Sequence, residues 1–203
     1  GIRKFFDLVA QTEGVISLGV GEPDFVTPWH IREACFYSLE RGYTMYTSNA
    51  GMPELREEIA RYYENWQGLS YDPCGEILVT VGVSEALDLV LRALVEPGDE
   101  VLIPEPSYVS YVPCTIMAGG TAVTVKISAC NGFRLTPEDV IPKLSPRSKV
   151  LILPYPNNPT GGIMEKHDLE ALVDIIIRND LIVVADEIYG ELTYDGRHVS
   201  IAT

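Results

Sequence analysis

The chain has 203 residues, 46% of them hydrophobic, with 15 Lys and Arg against 29 Asp and Glu and a formal net charge of −14. That length and apolar share suit one good-sized globular domain rather than a disordered chain, and the dispersed acidic excess makes nucleic acid a poor partner. The longest apolar runs, such as LIVVA and VLILP, fall far short of a membrane span, and the N-terminal GIRKFFDLVAQTEG has no signal-peptide apolar core, so a cytoplasmic protein is expected.

In chain order, residues 1–25 run through the extended VISLGVGEPDF and are expected to form an arm outside the main layer. PWHIREACFYSLERG and GMPELREEIARYYENW then show helix-period apolar spacing, with Gly42 as a C-terminal stop and Pro53 in a first helical turn. The polar, Tyr-rich YTMYTSNA joins them. From residue 76, strand-length apolar runs alternate with helix-period segments: EILVTV, SEALDLVLRALV, EVLIP, SYVSYVPCTIMA, TAVTV, KVLILP, EKHDLEALVDIIIRN and LIVVADE. Short runs apolar on both faces and separated by helices predict a mainly parallel sheet covered on both sides, a three-layer α/β/α fold. Residues 26–203 are expected to form this large domain, and the ending HVSIAT, without a terminal helix or polar tail, reads as a cut in a longer chain.

Cys35, Cys74, Cys114 and Cys130 stand apart with no CxxC pair, and His30, His167 and His198 lie in separate segments. Buried free thiols and no metal centre are expected.

In an open α/β sheet ligands bind outside the carboxyl ends of the strands, so the residues just after each apolar run are the informative ones. After EILVTV, Gly82 allows a tight turn and Ser84 can cap the helix that follows; free N–H groups and a hydroxyl suit a phosphate, although an ordinary Ser cap has the same pattern. After EVLIP, Tyr108 opens the next helix with Tyr111 on nearly the same face, offering a ring that either stacks on a planar heterocycle or simply packs. After VLILP, the stretch PYPNNPTGGI sets Asn158 between Asn157 and Pro159. Its prolines keep the preceding residues extended, so Asn158 either aims its amide at a bound oxygen or satisfies a local turn. After LIVV, Asp186 is a carboxylate at the end of an apolar strand with Tyr189 one turn later; a protonated ring nitrogen, an arginine or a helix start would each satisfy it. Together the four places fit a planar phosphorylated pyridine. GVGEPD at 19–24 contains a Gly-x-Gly, but Glu22 and Asp24 would repel a diphosphate, and VGVSEAL lacks the lysine of a P-loop, so nucleotide chemistry has no support.

ISLGVGEPDF, YTMYTSNAGMPELREEIA, VTVGVSEALDLVLRAL, PEPSYVSY, PYPNNPTG and VVADEIYGELTYDG follow one another in an order that resembles the pyridoxal phosphate-dependent aminotransferases of fold type I, class I/II. The resemblance implies a pyridoxal 5'-phosphate cofactor, an amino acid and a 2-oxo acid as substrates, and a homodimer with shared active sites. It implies that Val83 and Ser84 hold the cofactor phosphate, that Tyr108 stacks on the pyridine ring, and that Asp186 pairs with the protonated pyridine nitrogen. Asn158 would hydrogen-bond the ring's phenolic oxygen and help hold the substrate carboxylate, with Tyr189 donating to the same oxygen. Gly21 would let its backbone approach the substrate carboxylate, and Tyr46 would reach the phosphate of a neighbouring subunit's cofactor. The family's Schiff-base lysine lies a few tens of residues beyond the Asp-x-x-Tyr motif. None of Lys4, Lys126, Lys143, Lys149 and Lys166 follows Asp186, so the resemblance implies the arm and most of the large domain of a longer enzyme. C–S β-lyases and aminocyclopropane-carboxylate synthases share these motifs, and a cofactor-binding regulatory domain would carry them without turnover.

Overall fold

The computed structural model describes residues 12, 14, 16, 25–194 and 196–203, so the expected role of Gly21 falls outside the described residues. The chain divides into two units, Gly1–Tyr46 and Thr47–Thr203. The first contains α1 (Trp29–Glu40), and Gly42, at φ +75°, follows its end and donates its N–H to the Leu39 carbonyl.

The second unit opens with α2 (Pro53–Gln67), which has proline at its start, where a missing N–H costs nothing. It continues with α3 (Gly82–Leu94), β1 (Glu100–Glu105), α4 (Tyr111–Met117), β2 (Thr121–Lys126), the short α5 (Pro137–Val140), β3 (Ser148–Leu153), α6 (Lys166–Arg178) and β4 (Ile182–Ala185). The strands form one sheet in the order β2-β1-β3-β4, and every neighbouring pair is parallel. Alternate residues of the central strands enter two separate cores, as the two-residue period of a strand requires. Val101, Ile103, Val150 and Ile152 meet Leu87 and Leu91 of α3 and Tyr111 and Cys114 of α4. Leu102, Leu151 and Leu153 face the other way, toward Val140 of α5 and Leu169 and Leu172 of α6. The fold is therefore the expected three-layer α/β/α arrangement.

Two details differ from the sequence reading. EILVTV has no regular secondary structure at residues 77–80 and joins no sheet among the described residues; the Val79 N–H donates to the Ala50 carbonyl at 3.0 Å, and Leu78 and Val81 are exposed. A strand needs a neighbour to satisfy its alternating N–H and C=O groups, and apolar content alone does not supply one. Of the four free cysteines only Cys114 is buried, whereas Cys35, Cys74 and Cys130 are exposed. Among the described residues, no helix is long and apolar enough to cross a membrane.

A carboxylate clamp ties the start of β1 to the loop before β3. Buried Glu100 accepts from the Ser145 hydroxyl at 2.6 Å, the Ser148 hydroxyl at 3.2 Å and the Arg147 guanidinium at 3.1 Å, while its N–H donates to the Arg147 carbonyl at 2.8 Å. These partners, the Ser145 hydroxyl foremost, hold the Glu100 carboxyl below its ordinary value against the opposing effect of burial. A depressed carboxyl stabilises the fold above the ordinary glutamate range, and that contribution fades as pH falls through the depressed value. Urea unfolding of the intact protein between about pH 3 and about pH 7 should therefore show a shallower acid-side loss of stability in Glu100→Gln than in the wild type; an unchanged slope would show that the clamp contributes nothing.

Candidate active site

In a parallel sheet of this order, the chain leaves β1 toward β2 and leaves β3 toward β4, in opposite directions, which opens a crevice at their carboxyl ends. The connections after β1, β3 and β4 and the start of α3 together line one cavity of about 200 Å³. Val83, Ser84, Tyr108, Asn158, Asp186 and Tyr189 all line it, so residues up to about a hundred positions apart come together in one cavity. Tyr46 is the last residue of the first unit, and its side chain is exposed.

At the start of α3, Gly82 adopts φ +76°, a left-handed conformation that turns the chain into the helix without the Cβ strain another residue would bring. The helix begins at Gly82 after Val81, and no side chain caps it. Ser84 is therefore not the cap that the sequence suggested; it sits in the first turn, exposed, with its hydroxyl available to the cavity. The Val81 N–H is taken by the Glu85 carboxylate and the Gly82 N–H by the Thr80 carbonyl. Val83 and Ser84 follow in the turn whose N–H groups no preceding helical carbonyl serves, at the positive end of the helix dipole. An anion is the natural partner there.

Tyr108 lies in the turn between β1 and α4 rather than opening the helix, which starts at Tyr111. Its carbonyl accepts the Tyr111 N–H at 3.3 Å, and the two rings meet edge to face, with centroids 5.7 Å apart at 80°. Tyr111 is buried and Tyr108 is exposed.

The loop after β3 separates the twin amides. Asn157 is buried; its N–H donates to the Gly162 carbonyl at 2.9 Å, its carbonyl accepts from Gly161 at 2.8 Å, and its side-chain Nδ2 donates to the Pro106 carbonyl at 3.2 Å. It thus ties the β3 loop to the β1 loop, leaving Asn158 exposed and lining the cavity. Buried Tyr155 anchors the same loop from the other core through a hydrogen bond to the Phe133 carbonyl at 2.8 Å.

Asp186 extends the β3–β4 ladder by one residue, its N–H donating to the Leu153 carbonyl at 3.1 Å. It is half-buried rather than fully buried, and its partners within the chain are neutral donors rather than a cation. Oδ2 accepts from the Tyr111 hydroxyl at 2.8 Å and Oδ1 from the Ile188 N–H at 3.3 Å. Burial first, then the Asp186 charge, push the Tyr111 phenol well above its ordinary range, so it remains a donor at any neutral pH. Sequence reasoning missed this partner. The Tyr108-x-x-Tyr111 spacing was visible, but the carboxylate it meets is 75 residues further on. The turn carrying Asp186 and Tyr189 is in turn held by α2. A Cβ on Gly190 would come within 2.8 Å of the Trp66 ring, Trp66 stacks on His198 at 5.8 Å, and the Tyr62 hydroxyl donates to Glu191 at 2.6 Å.

The sequence profile described as Aminotransferase class I and II matches residues 13–202. The chain belongs to the class I and II aminotransferases. It is 53% identical over 202 residues to the putative aminotransferase YugH of Bacillus subtilis (strain 168), covering 100% of this chain and 52% of that protein. It is 45% identical over 203 residues to an aspartate aminotransferase of Pyrococcus abyssi (strain GE5 / Orsay), again covering 100% of this chain and 52% of the relative. The solved structure of an aromatic aminotransferase from Pyrococcus horikoshii OT3 superposes with a TM-score of 0.91 at 42% identity, covering 100% of this chain and 54% of that one. The chain thus spans about half the length of the curated relatives it matches.

Aminotransferases of this class use pyridoxal 5'-phosphate. The donor set fits that group: an uncapped helix start for a phosphate, an exposed ring for stacking, an amide and a phenol for an oxygen, and a carboxylate held by neutral donors for a protonated nitrogen. Because Asn157 holds the Asn158 loop without lining the cavity, Asn157→Ala should lower the unfolding free energy by about 1 kcal/mol by removing its side-chain hydrogen bond to the Pro106 carbonyl. It should also weaken cofactor retention in equilibrium dialysis, although every cavity-lining side chain is kept.

Proposed function

We propose that the intact protein transfers an amino group between an L-amino acid, of the aspartate, aromatic or similar type, and a 2-oxo acid, with pyridoxal 5'-phosphate bound in this cavity. One observation carries the reading: a single cavity is lined at once by an uncapped helix start, an exposed tyrosine, an exposed asparagine and a carboxylate held only by neutral donors. The relatives named as aminotransferases, matched along essentially the whole chain, support it.

In this reading the Val83 and Ser84 N–H groups and the Ser84 hydroxyl bind the phosphate. Tyr108 covers one face of the pyridine ring, where the ring quadrupole favours offset stacking. Asn158 and Tyr189 donate to the phenolic oxygen, and Asn158 helps hold the substrate carboxylate. Asp186 keeps a proton on the pyridine nitrogen, because an ionised carboxylate at hydrogen-bond distance favours the charged form of its partner. Held there, the group would supply an electron-accepting ring for the substrate α-carbon, which is the chemistry this class draws from it. Asp186 and Tyr189 are thus the catalytic residues of this segment. Gly21 lets the backbone of an N-terminal arm, residues 1–25, approach the substrate carboxylate, while residues 26–203 belong to the cofactor-binding large domain. Tyr46 contributes to the site of a second subunit in a homodimer, and the protein works in the cytoplasm.

Asp186→Ala should abolish 2-oxo-acid-dependent amino transfer in the intact protein, a fall of at least about a thousandfold if the charge partner accounts for roughly 4 kcal/mol of transition-state stabilisation. Binding through the phosphate should partly survive. Amino transfer at the wild-type rate in this variant would remove the assignment, and release of pyruvate and ammonia in place of amino transfer would identify a C–S lyase.

A further inference from the structure

We infer that Trp66 is a positioning residue of this site: its indole, seated against the backbone of Gly190, fixes where the Tyr189 ring stands in the cavity, and Gly190 is its complement, bare so that the indole can lie there. The inference rests on the proposed reading of the cavity as a pyridoxal 5'-phosphate site with Tyr189 as a donor to the cofactor. It extends that site to a residue of α2 that does not itself line the cavity.

Gly190 is buried, and a Cβ there would stand 2.8 Å from Trp66 Cη2 and 3.1 Å from His198 Cδ2. Carbon atoms pack favourably at about 3.5–4.0 Å, so a single methyl group would force the turn and the indole about 1 Å apart. Gly190 is not among the glycines with a positive φ, so space, and not backbone conformation, excludes a side chain here. The indole is not free to give way. Tyr62 lies against it with ring centroids 5.2 Å apart, His198 stacks on it at 5.8 Å and 25°, and the Arg197 guanidinium donates to the Trp66 carbonyl, tying the segment after the turn to the end of α2. Packing this dense passes a displacement on instead of absorbing it.

The displacement reaches Tyr189 through one short hydrogen-bonded turn. The Gly190 N–H donates to the Glu187 carbonyl at 2.8 Å, and the Tyr189 carbonyl accepts the Leu192 N–H at 2.9 Å. Glu191, directly after Gly190, accepts from the Tyr62 hydroxyl at 2.6 Å, so α2 grips the turn on the far side as well. Ile188 is exposed, and among the described residues the Tyr189 side chain makes no hydrogen bond, so no polar contact of its own holds the phenol where it lines the cavity. Asp186 is held separately, its N–H on the Leu153 carbonyl at 3.1 Å. A side chain at position 190 therefore pushes the Tyr189 hydroxyl out of place, and a smaller ring at position 66 leaves a gap into which the turn relaxes. A misplacement of about 1 Å is enough to break a directed hydrogen bond to a bound ring.

The test uses the intact protein, freed of cofactor and titrated with pyridoxal 5'-phosphate under conditions in which each variant is folded. Visible absorbance and the induced circular dichroism of the bound cofactor report affinity. Gly190→Ala should weaken binding about tenfold, and Trp66→Phe, whose shorter ring leaves a gap, about threefold. In the double variant the added methyl group occupies the room that the smaller ring leaves, so it should bind more tightly than either single variant. In a Tyr189→Phe background, Gly190→Ala should cost less than about twofold further, because the hydroxyl it misplaces is already gone. A purely structural role would lack that dependence on Tyr189. Wild-type affinity in Gly190→Ala would overturn the inference, as would losses that add in the double variant or that add to the loss from Tyr189→Phe. Should Gly190→Ala not fold alone, the double variant is compared with Trp66→Phe: tighter binding supports the pairing, whereas equal or weaker binding, or failure to fold, overturns it. A wild-type protein that binds no pyridoxal 5'-phosphate would instead remove the cofactor reading itself.

Discussion

The constraint on which the rest depends is the parallel pairing of β1 with β3 at the centre of the sheet, with Val101 opposite Val150 and Leu102 opposite Leu151. Parallel strands cannot be joined by a tight turn, so each must be followed by a crossover that packs on a face of the sheet. Both faces of the central strands are buried as a result, and every strand ends at the same edge. Because the chain departs from β1 and β3 in opposite directions, the loops carrying Tyr108 and Asn158 part and leave a crevice between them. The site is a consequence of strand order before it is a consequence of any side chain.

Rigidity then comes from ties between loops rather than from the loops themselves. Asn157 joins the β3 loop to the β1 loop, and the Asp186 turn is held at its backbone by Leu153, at its carboxylate by Tyr111 and beyond Gly190 by Trp66. Each tie is a single hydrogen bond or ring contact worth on the order of 1 kcal/mol. Together they leave few ways for the polar groups to move, which is what a preorganised electrostatic site requires.

The electrostatics are complementary along the cavity. The α3 start presents a positive helix end without a capping side chain, while Asp186 presents a negative charge held by neutral donors. A molecule with an anionic group and a protonated ring nitrogen satisfies both. The α3 start is where the fold offers oriented backbone N–H groups to an anion.

By itself the sequence determined the layered α/β fold, because alternating strand-length apolar runs and helix-period segments have few other ways to bury their faces. It also determined which residues follow each strand, and so the membership of Ser84, Tyr108, Asn158, Asp186 and Tyr189 in one cavity. It could not decide whether EILVTV is a strand, since ladder partners are a property of the assembled sheet. Nor could it place the helix start before Ser84, which depends on Gly82 taking a positive φ. Only the tertiary structure joined Tyr111 to Asp186. A hydrogen bond between an α4 phenol and a carboxylate after β4 has no local signature, because the distance between them is set by how the helix and the strand pack on the same core.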